Sequence, residues 1–417
     1  MLISRSSNPG LLIALTALAL TLWASSAAAY PGQVPIGPGD DVGLYAQQTK
    51  DGGYVIAGYS GDISGGDFDT LLIKTDAKGD MLWNRTYEVL GDNYSNYGYA
   101  VKQTADGGYI IAGYTKSSSS DSYDALLIKT DSDGAMQWNK TYGEAWSGNE
   151  YGYSVAQASD GGYVLIGGTT SPGTGANAGT SDALLIKTDS DGNMLWNRTV
   201  GTQDSESEVA YSAEQTRDGG YILAGTRSSP DKSRGSDILL AKLSSEGAEE
   251  WNSTIGSDLA GEERASSVQQ TKDGGYVLAG WTNSSGTGTF DALVVKTDAM
   301  GKTEWNKSIG ASDMGNEAAY SLQQTSDGGY IIAGSKNATT PGEGEDILAI
   351  KLDANGNESW TKTFGSDWKG EEKASSIIQS EDGGYILAGW TTSIGDSSSD
   401  VLLAKLDGQG NAEWHKV

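Results

Sequence analysis

Cysteine is absent from the 417 residues, so no disulfide, thiol nucleophile or thiolate metal site can form. Histidine is nearly absent too. The single copy, His415, stands two residues before the last, and one imidazole builds neither a catalytic triad of the usual kind nor a His-rich metal site. Positive charge is in deficit, with 28 Lys and Arg against 55 Asp and Glu and a formal net charge of −27. Such a surface repels phosphate backbones and anionic bilayers, which argues against nucleic acid and charged membranes as partners. No segment shows the 3.6-residue apolar period of a helix. The one long apolar run, LLIALTALALTLW, lies near the start. With Arg5 before it and small residues up to Ala29 after it, it reads as a secretory signal peptide over residues 1–29. It is short for a membrane anchor. A Pro/Gly leader follows over 30–40.

What the chain does have is repetition. The tetrad DGGY opens at Asp51, Asp106, Asp160, Asp218, Asp273, Asp327 and Asp382, spaced 54 to 58 residues apart. A fixed period of this size marks a repeat architecture. Within the second copy, YAVKQT is short and β-rich, ADGG is a turn, and YIIAGYT is a β-branched and aromatic strand. DALLIKTD is a third strand, SDGA a tight turn, and MQWNKTYG a fourth strand. We label these strands A to D. Hydrophobic residues make up 37 % of the chain, enough for a core, and strands B and C are apolar almost throughout, as expected of sheets packed on both faces. The expected fold is all-β: a single seven-bladed β-propeller of four-stranded antiparallel blades over 41–417. The repeats run over about 41–90, 91–145, 146–203, 204–258, 259–312, 313–367 and 368–417. No strand is borrowed to close the ring, unless the leader around Val34–Ile36 adds an edge strand.

The sequence DGGYIIAG…DALLIKTDSDG…WNKTYG resembles the secreted propeller repeats abundant in methanogenic archaea and many bacteria. Its layout is similar to kelch-type repeats, and LLIKTDSDGNMLW, from Leu184, is similar to the tryptophan-docking repeats of quinoprotein propellers. The resemblance implies a propeller on the cell surface or outside the cell. It supplies no cofactor pocket.

Sevenfold repetition separates framework from site. A Trp (Trp83, Trp138, Trp196, Trp251, Trp305, Trp360, Trp414) follows an Asp at the start of strand C (Asp69, Asp124, Asp182, Asp237, Asp291, Asp346, Asp400) by 14 residues in every repeat. A Lys, as at Lys74, and a Gln, as at Gln48, also recur in all seven, and a sevenfold catalytic lysine is implausible, so these are read as scaffold. The A–B and C–D turns keep a constant length and the B–C loops vary; these share one face with the D–A loops, so that face is the candidate for binding. Six aromatics are expected on it: Tyr59, Tyr114, Trp281 and Trp390 at the end of strand B, and Trp146 and Trp368 in D–A loops. If the ring closes, Trp390, Tyr59 and Tyr114 are neighbours. Such residues suit stacking on sugar rings or docking a protein, and the plainer alternative is that they seal grooves between blades. Five acids, Glu150, Glu208, Glu263, Glu317 and Glu372, are expected to ring one mouth of the central channel, either attracting cations or repeating a structural hydrogen bond.

The DSDG runs at Asp131 and Asp189 lack the later Glu of a calcium loop and read as hairpin turns. No metal or cofactor is expected. Sequons at Asn84, Asn139, Asn197, Asn252 and Asn306 fall on strand D, with more at Asn93, Asn283, Asn337 and Asn357, and are candidate glycosylation sites on an exposed edge. The sequence thus points to a secreted or cell-surface, monomeric binding or scaffold propeller whose loop face meets a glycan or an extracellular protein. The alternatives are a carbohydrate-active hydrolase or lyase using acids on that face, and a structural surface-layer component.

Overall fold

The computed structural model describes residues 39–62, 67–89, 94–117, 122–143, 146, 148–170, 181–201, 206–228, 235–256, 261–284, 289–310, 315–337, 344–365, 370–393 and 398–417. The expected signal peptide, nearly all of the leader, its Val34–Ile36 edge strand, Trp368 and Asn93 lie outside them. So does most of the B–C and D–A loops.

Among the described residues there is no helix, and twenty-eight strands fall into consecutive groups of four. In the first group, A (Asp40–Gln48), B (Tyr54–Asp62), C (Asp67–Thr75) and D (Met81–Tyr87) pair in that order, each antiparallel to the next. The same order recurs down the chain. The fourth and fifth groups are further joined by a short parallel pairing of Gly235 with Gly261 and Ser236 with Glu262.

Strands B begin at the Tyr of DGGY, as at Tyr54 and Tyr109, because the tetrad closes the A–B hairpin. Gly52 takes a φ of 82°, open to glycine but strained for other residues. The Asp51 carboxylate accepts from the Gly53 N–H and from the Lys74 ammonium, 3.0 Å away, which also donates to the Thr75 carbonyl. The recurring Gln ties units together: Gln103 accepts from the Lys50 N–H of the preceding unit at 2.9 Å while donating to Gly107. Lys and Gln are thus framework.

The core lies between sheets. Six buried clusters each join two consecutive groups, and a seventh joins the last to the first. One mixes Val55, Ala57 and Leu72 with Ile111 and Leu126. The seventh brings Ile386, Ala388 and Leu403 of the last group onto Ala46, Tyr54 and Ile73 of the first. The recurring Trp crosses the same boundaries. The Trp83 ring packs edge-on against Tyr109 and lies over Gly134 of the next unit, while Trp414 lies over Gly79 of the first.

Strands A start earlier than the sequence suggests. The second runs Tyr94–Gln103 where YAVKQT implied a start near Tyr99, because a bulge interrupts its pattern.

Candidate functional site

Every inner strand carries a β-bulge at the same place. Its pairing with strand B skips one residue: Leu44, Tyr99, Tyr153 and Tyr211 in the first four units, then Ser266, Tyr320 and Ser375. A bulge re-aims the extra side chain, and these seven residues line one cavity of about 130 Å³ between the inner strands. Two glycine requirements make room for the bulge. In the second unit, a Cβ on Gly113, from the repeated AG of strand B, would sit 1.7 Å from the Tyr97 carbonyl oxygen. One on Gly98, just before the bulge, would sit 2.8 Å from the Gly58 carbonyl of the preceding unit. The AG motif is therefore the partner of the bulge. Serines after the bulge tie neighbouring inner strands together, as where Ser212 accepts from the Val268 N–H and Ser267 from the Leu322 N–H.

From this cavity a sheet of aromatic rings extends towards the loop end. Tyr211 meets Tyr153, Tyr153 meets Tyr99 and Tyr151, and Tyr99 stacks on Tyr114 at 5.2 Å. Tyr114 meets Tyr97 and Tyr123, and Tyr97 meets Tyr59 and Phe68 at 5.3 and 5.4 Å. All nine rings are half-buried. Burial, then the nearby phenols, pushes the Tyr59 hydroxyl up to about 12 and raises Tyr99, so both stay neutral hydrogen-bonding groups. The Tyr99 and Tyr114 hydroxyls lie 3.1 Å apart.

Two cations stand at the same level. Arg264 is in register with Trp281 on the neighbouring strand and its guanidinium lies 3.6 Å from the Tyr211 ring centre. Lys373, in register with Trp390, lies 5.5 Å from that ring and pairs with Glu345 at 2.9 Å.

The expected site residues divide accordingly. Tyr59 and Tyr114 are joined through Tyr97. Among the described residues their ring contacts do not reach Trp390, the neighbour expected of them. They run instead into the third and fourth units. Trp281 packs edge-on against Phe290 at 4.6 Å. Trp146 is a packing residue against the core shared by the second and third units. The five glutamates do not line an open channel mouth: Glu150, Glu208, Glu263, Glu317 and Glu372 are all buried. Glu150 accepts from Thr169 at 2.7 Å, Glu263 from Thr282, and Glu372 from Thr391 and Ser393. Glu208 and Glu317 pair with Arg227 and Lys336. Burial, with the Asp346 charge nearby, raises Glu372 despite its two hydroxyl donors. Asn84, Asn139, Asn197, Asn252 and Asn306 lie on strands D, which among the described residues pair only with strands C and so form sheet edges.

Sequence reasoning passed over the bulge tyrosines, Tyr97, Tyr151 and Arg264. A usable signal existed, since the bulge residue sits four before the repeated Gln and directly after a Gly or Ala. A groove of about 530 Å³ lined by Lys50, Trp83 and Gln103 lies between the first two units, and of these Trp83 and Gln103 recur in every unit.

Neither a protein-family model nor a curated protein matches the sequence. Solved structures do. The chain is similar to a polysaccharide lyase, the PL25 ulvan lyase, with a TM-score of 0.55 and 10 % identity over 89 % of this chain and 92 % of that one. It is similar also to the β-propeller domain of the Trilobed protease from Pyrococcus furiosus (TM-score 0.46, 9 % identity, 87 % and 93 % covered). The WD40 domain of SCAP from fission yeast matches at a TM-score of 0.40 with 7 % identity over 84 % and 93 %. At these identities the likeness is one of fold. The repeated four-stranded antiparallel sheets, each packed on the next and the last on the first, make the chain a β-propeller.

Proposed function

We propose that this is an exported, closed seven-bladed propeller that binds a glycan at the loop end of its central axis. Closure is supported by the core shared between last and first units and by the contact of Trp414 with Gly79. Export rests on the signal peptide read from residues 1–29. The observation that carries the binding role is the continuous, half-buried aromatic sheet from Tyr59 to Tyr211, opening on the bulge-lined cavity. Ring faces bordered by hydroxyls match a sugar, whose C–H faces stack on aromatics while its hydroxyls exchange hydrogen bonds. Trp281 and Trp390 extend the same level of the fold around the axis. A hydrolase built on the five repeated glutamates is disfavoured, because each is buried and engaged within its own unit.

The test is a glycan array probed with the full chain and with Tyr97→Ala and Trp390→Ala. Each variant is to be checked for an unchanged far-ultraviolet circular dichroism spectrum. Loss of the wild-type signal in Tyr97→Ala is expected, with partial loss in Trp390→Ala. Retained binding in both folded variants refutes the site.

A further inference from the structure

Among the described residues the guanidinium of Arg264 has no acidic partner. The other described arginines all donate to protein acceptors: Arg85 and Arg198 to the carbonyls of Asn84 and Asn197, Arg217 to those of Thr271 and Lys272, and Arg227 to Glu208 and Thr254. Arg264 instead lies over the Tyr211 ring, and its buried Nε has no acceptor among the described residues. In a chain of net charge −27 this needs a reason. A guanidinium carries five donors, and an unmet buried donor is costly. Nor are the adjacent acids its partners. Glu263 follows the strand alternation to the opposite face, where its Oε1 accepts from Thr282 and Ser284, and Glu262 is exposed.

The place is as specific as the group. The equivalent position in the other units holds Val42, Tyr97, Tyr151, Val209, Ala318 and Lys373, of which only Lys373 is charged, and Glu345 offsets it. Arg264 is held by Tyr211, itself a bulge residue of the axial cavity, and borders the aromatic sheet at its inner end. With its central carbon 3.6 Å from the ring centre and no hydrogen bond to protein among the described residues, the guanidinium keeps donors of the kind that engage a carboxylate or sulfate through two parallel hydrogen bonds.

We propose that Arg264 is an anion receptor at the rim of the axial cavity, and that the glycan bound there is acidic, carrying carboxylate or sulfate groups. The ligand class rests on the glycan reading above; the anion site does not. Tyr211 is a positioning residue that orients the guanidinium.

The experiment measures binding of the full chain and of Arg264→Gln to polygalacturonate and to its uncharged methyl ester, and to dextran sulfate and dextran. Inorganic sulfate is the third arm, read as a thermal shift against chloride at equal ionic strength. Expected is binding of the acidic polymer of at least one pair over its neutral counterpart, weakened about tenfold or more in Arg264→Gln and falling as salt rises. Equal binding of acidic and neutral polymers, or unchanged binding by Arg264→Gln, overturns the acidic-ligand inference and leaves the glycan reading standing. A sulfate shift that disappears in Arg264→Gln, with no polymer bound, upholds the anion site and removes the glycan reading. No response in any arm overturns both.

Discussion

Asp106 and Asp182 belong to consecutive repeats, and burial acts to raise both, yet they titrate in opposite directions. For Asp106 burial is outweighed by donors from Thr104, Lys129 and the Gly108 N–H, which hold the carboxylate at about 2. Asp182 has no such set. Burial first, and then the charge of Glu208, push it up to about 6. The consequences for stability differ in sign. An Asp in the unfolded chain titrates near ~3.9, so Asp106 contributes stability above that pH, lost only as pH falls towards about 2. Asp182 binds its proton more tightly when folded. Between about pH 4 and about pH 6 the native state holds more protons than the unfolded one, so stability falls as pH rises through that window. The groups facing Asp182 are Glu208, from strand A of the next unit, and Arg227, which pairs with Glu208 at 3.0 Å. Asp182→Asn should raise the thermal midpoint at neutral pH by a few degrees and flatten its slope between about pH 4 and about pH 6. A calorimetric profile with the wild-type slope would show that another group governs this window.

Strands C and D are joined by a turn whose glycine serves two purposes, and the two can be separated. Gly134 has a φ of 77°, and a Cβ there would lie 2.7 Å from the Trp83 ring of the preceding unit. Gly107, in the A–B turn, has a φ of 88° with nothing within 4 Å of its added Cβ. Alanine at Gly107 should therefore cost only the left-handed backbone term, about 1–2 kcal/mol. At Gly134 the tryptophan must also move, and the cost should rise to about 3 kcal/mol or more. Denaturant unfolding of the two variants measures the difference, and equal costs would mean that the docked ring is not fixed by this glycine. The pair also shows which parts of the fold the sequence made legible. Turns, strand order and the framework Lys, Gln and Trp could be read because each is stated seven times at constant spacing. The bulge was harder to read, because an inserted residue that recurs in every copy leaves the period intact and blurs the alternation within strand A, and its one mark, a Gly or Ala five residues before the repeated Gln, is faint. Tyr99 and Arg264 were missed for that reason. Ring contacts between units, such as those of Tyr97 and Tyr153, depend on how sheets splay about the axis, which spacing along the chain does not encode. The burial of Glu150 and its equivalents was hidden likewise, since their partners lie across the sheet on strand B.

At the scale of the whole molecule, the described residues join the last and first units without a shared strand. Strand D of the last group pairs with its own strand C, and strand A of the first group with its own strand B. The junction rests on side chains and a few loop contacts: Trp414 over Gly79, the core joining Leu403 and Val401 to Ile56 and Leu71, the Asp41 N–H donating to Ser399 at 2.6 Å, and Lys416 paired with Asp80 at 2.8 Å. In an open stack of repeats the terminal unit contacts a single neighbour, and a change on its free side costs almost nothing. In a closed ring the same position is an interface like any other. Truncating a buried aromatic to alanine costs ~3–5 kcal/mol, and for a half-buried ring about 2–3 kcal/mol is a fair expectation. Trp414→Ala should therefore destabilise the protein about as much as Trp196→Ala, which removes the ring docked on Gly247 between the third and fourth units. Equilibrium unfolding in guanidinium, followed by circular dichroism, compares the two. A Trp414→Ala variant as stable as the wild type, beside a weakened Trp196→Ala, would mean that the last unit does not hold the first in solution, and the axial cavity would then lose the seventh wall that Ser375 supplies.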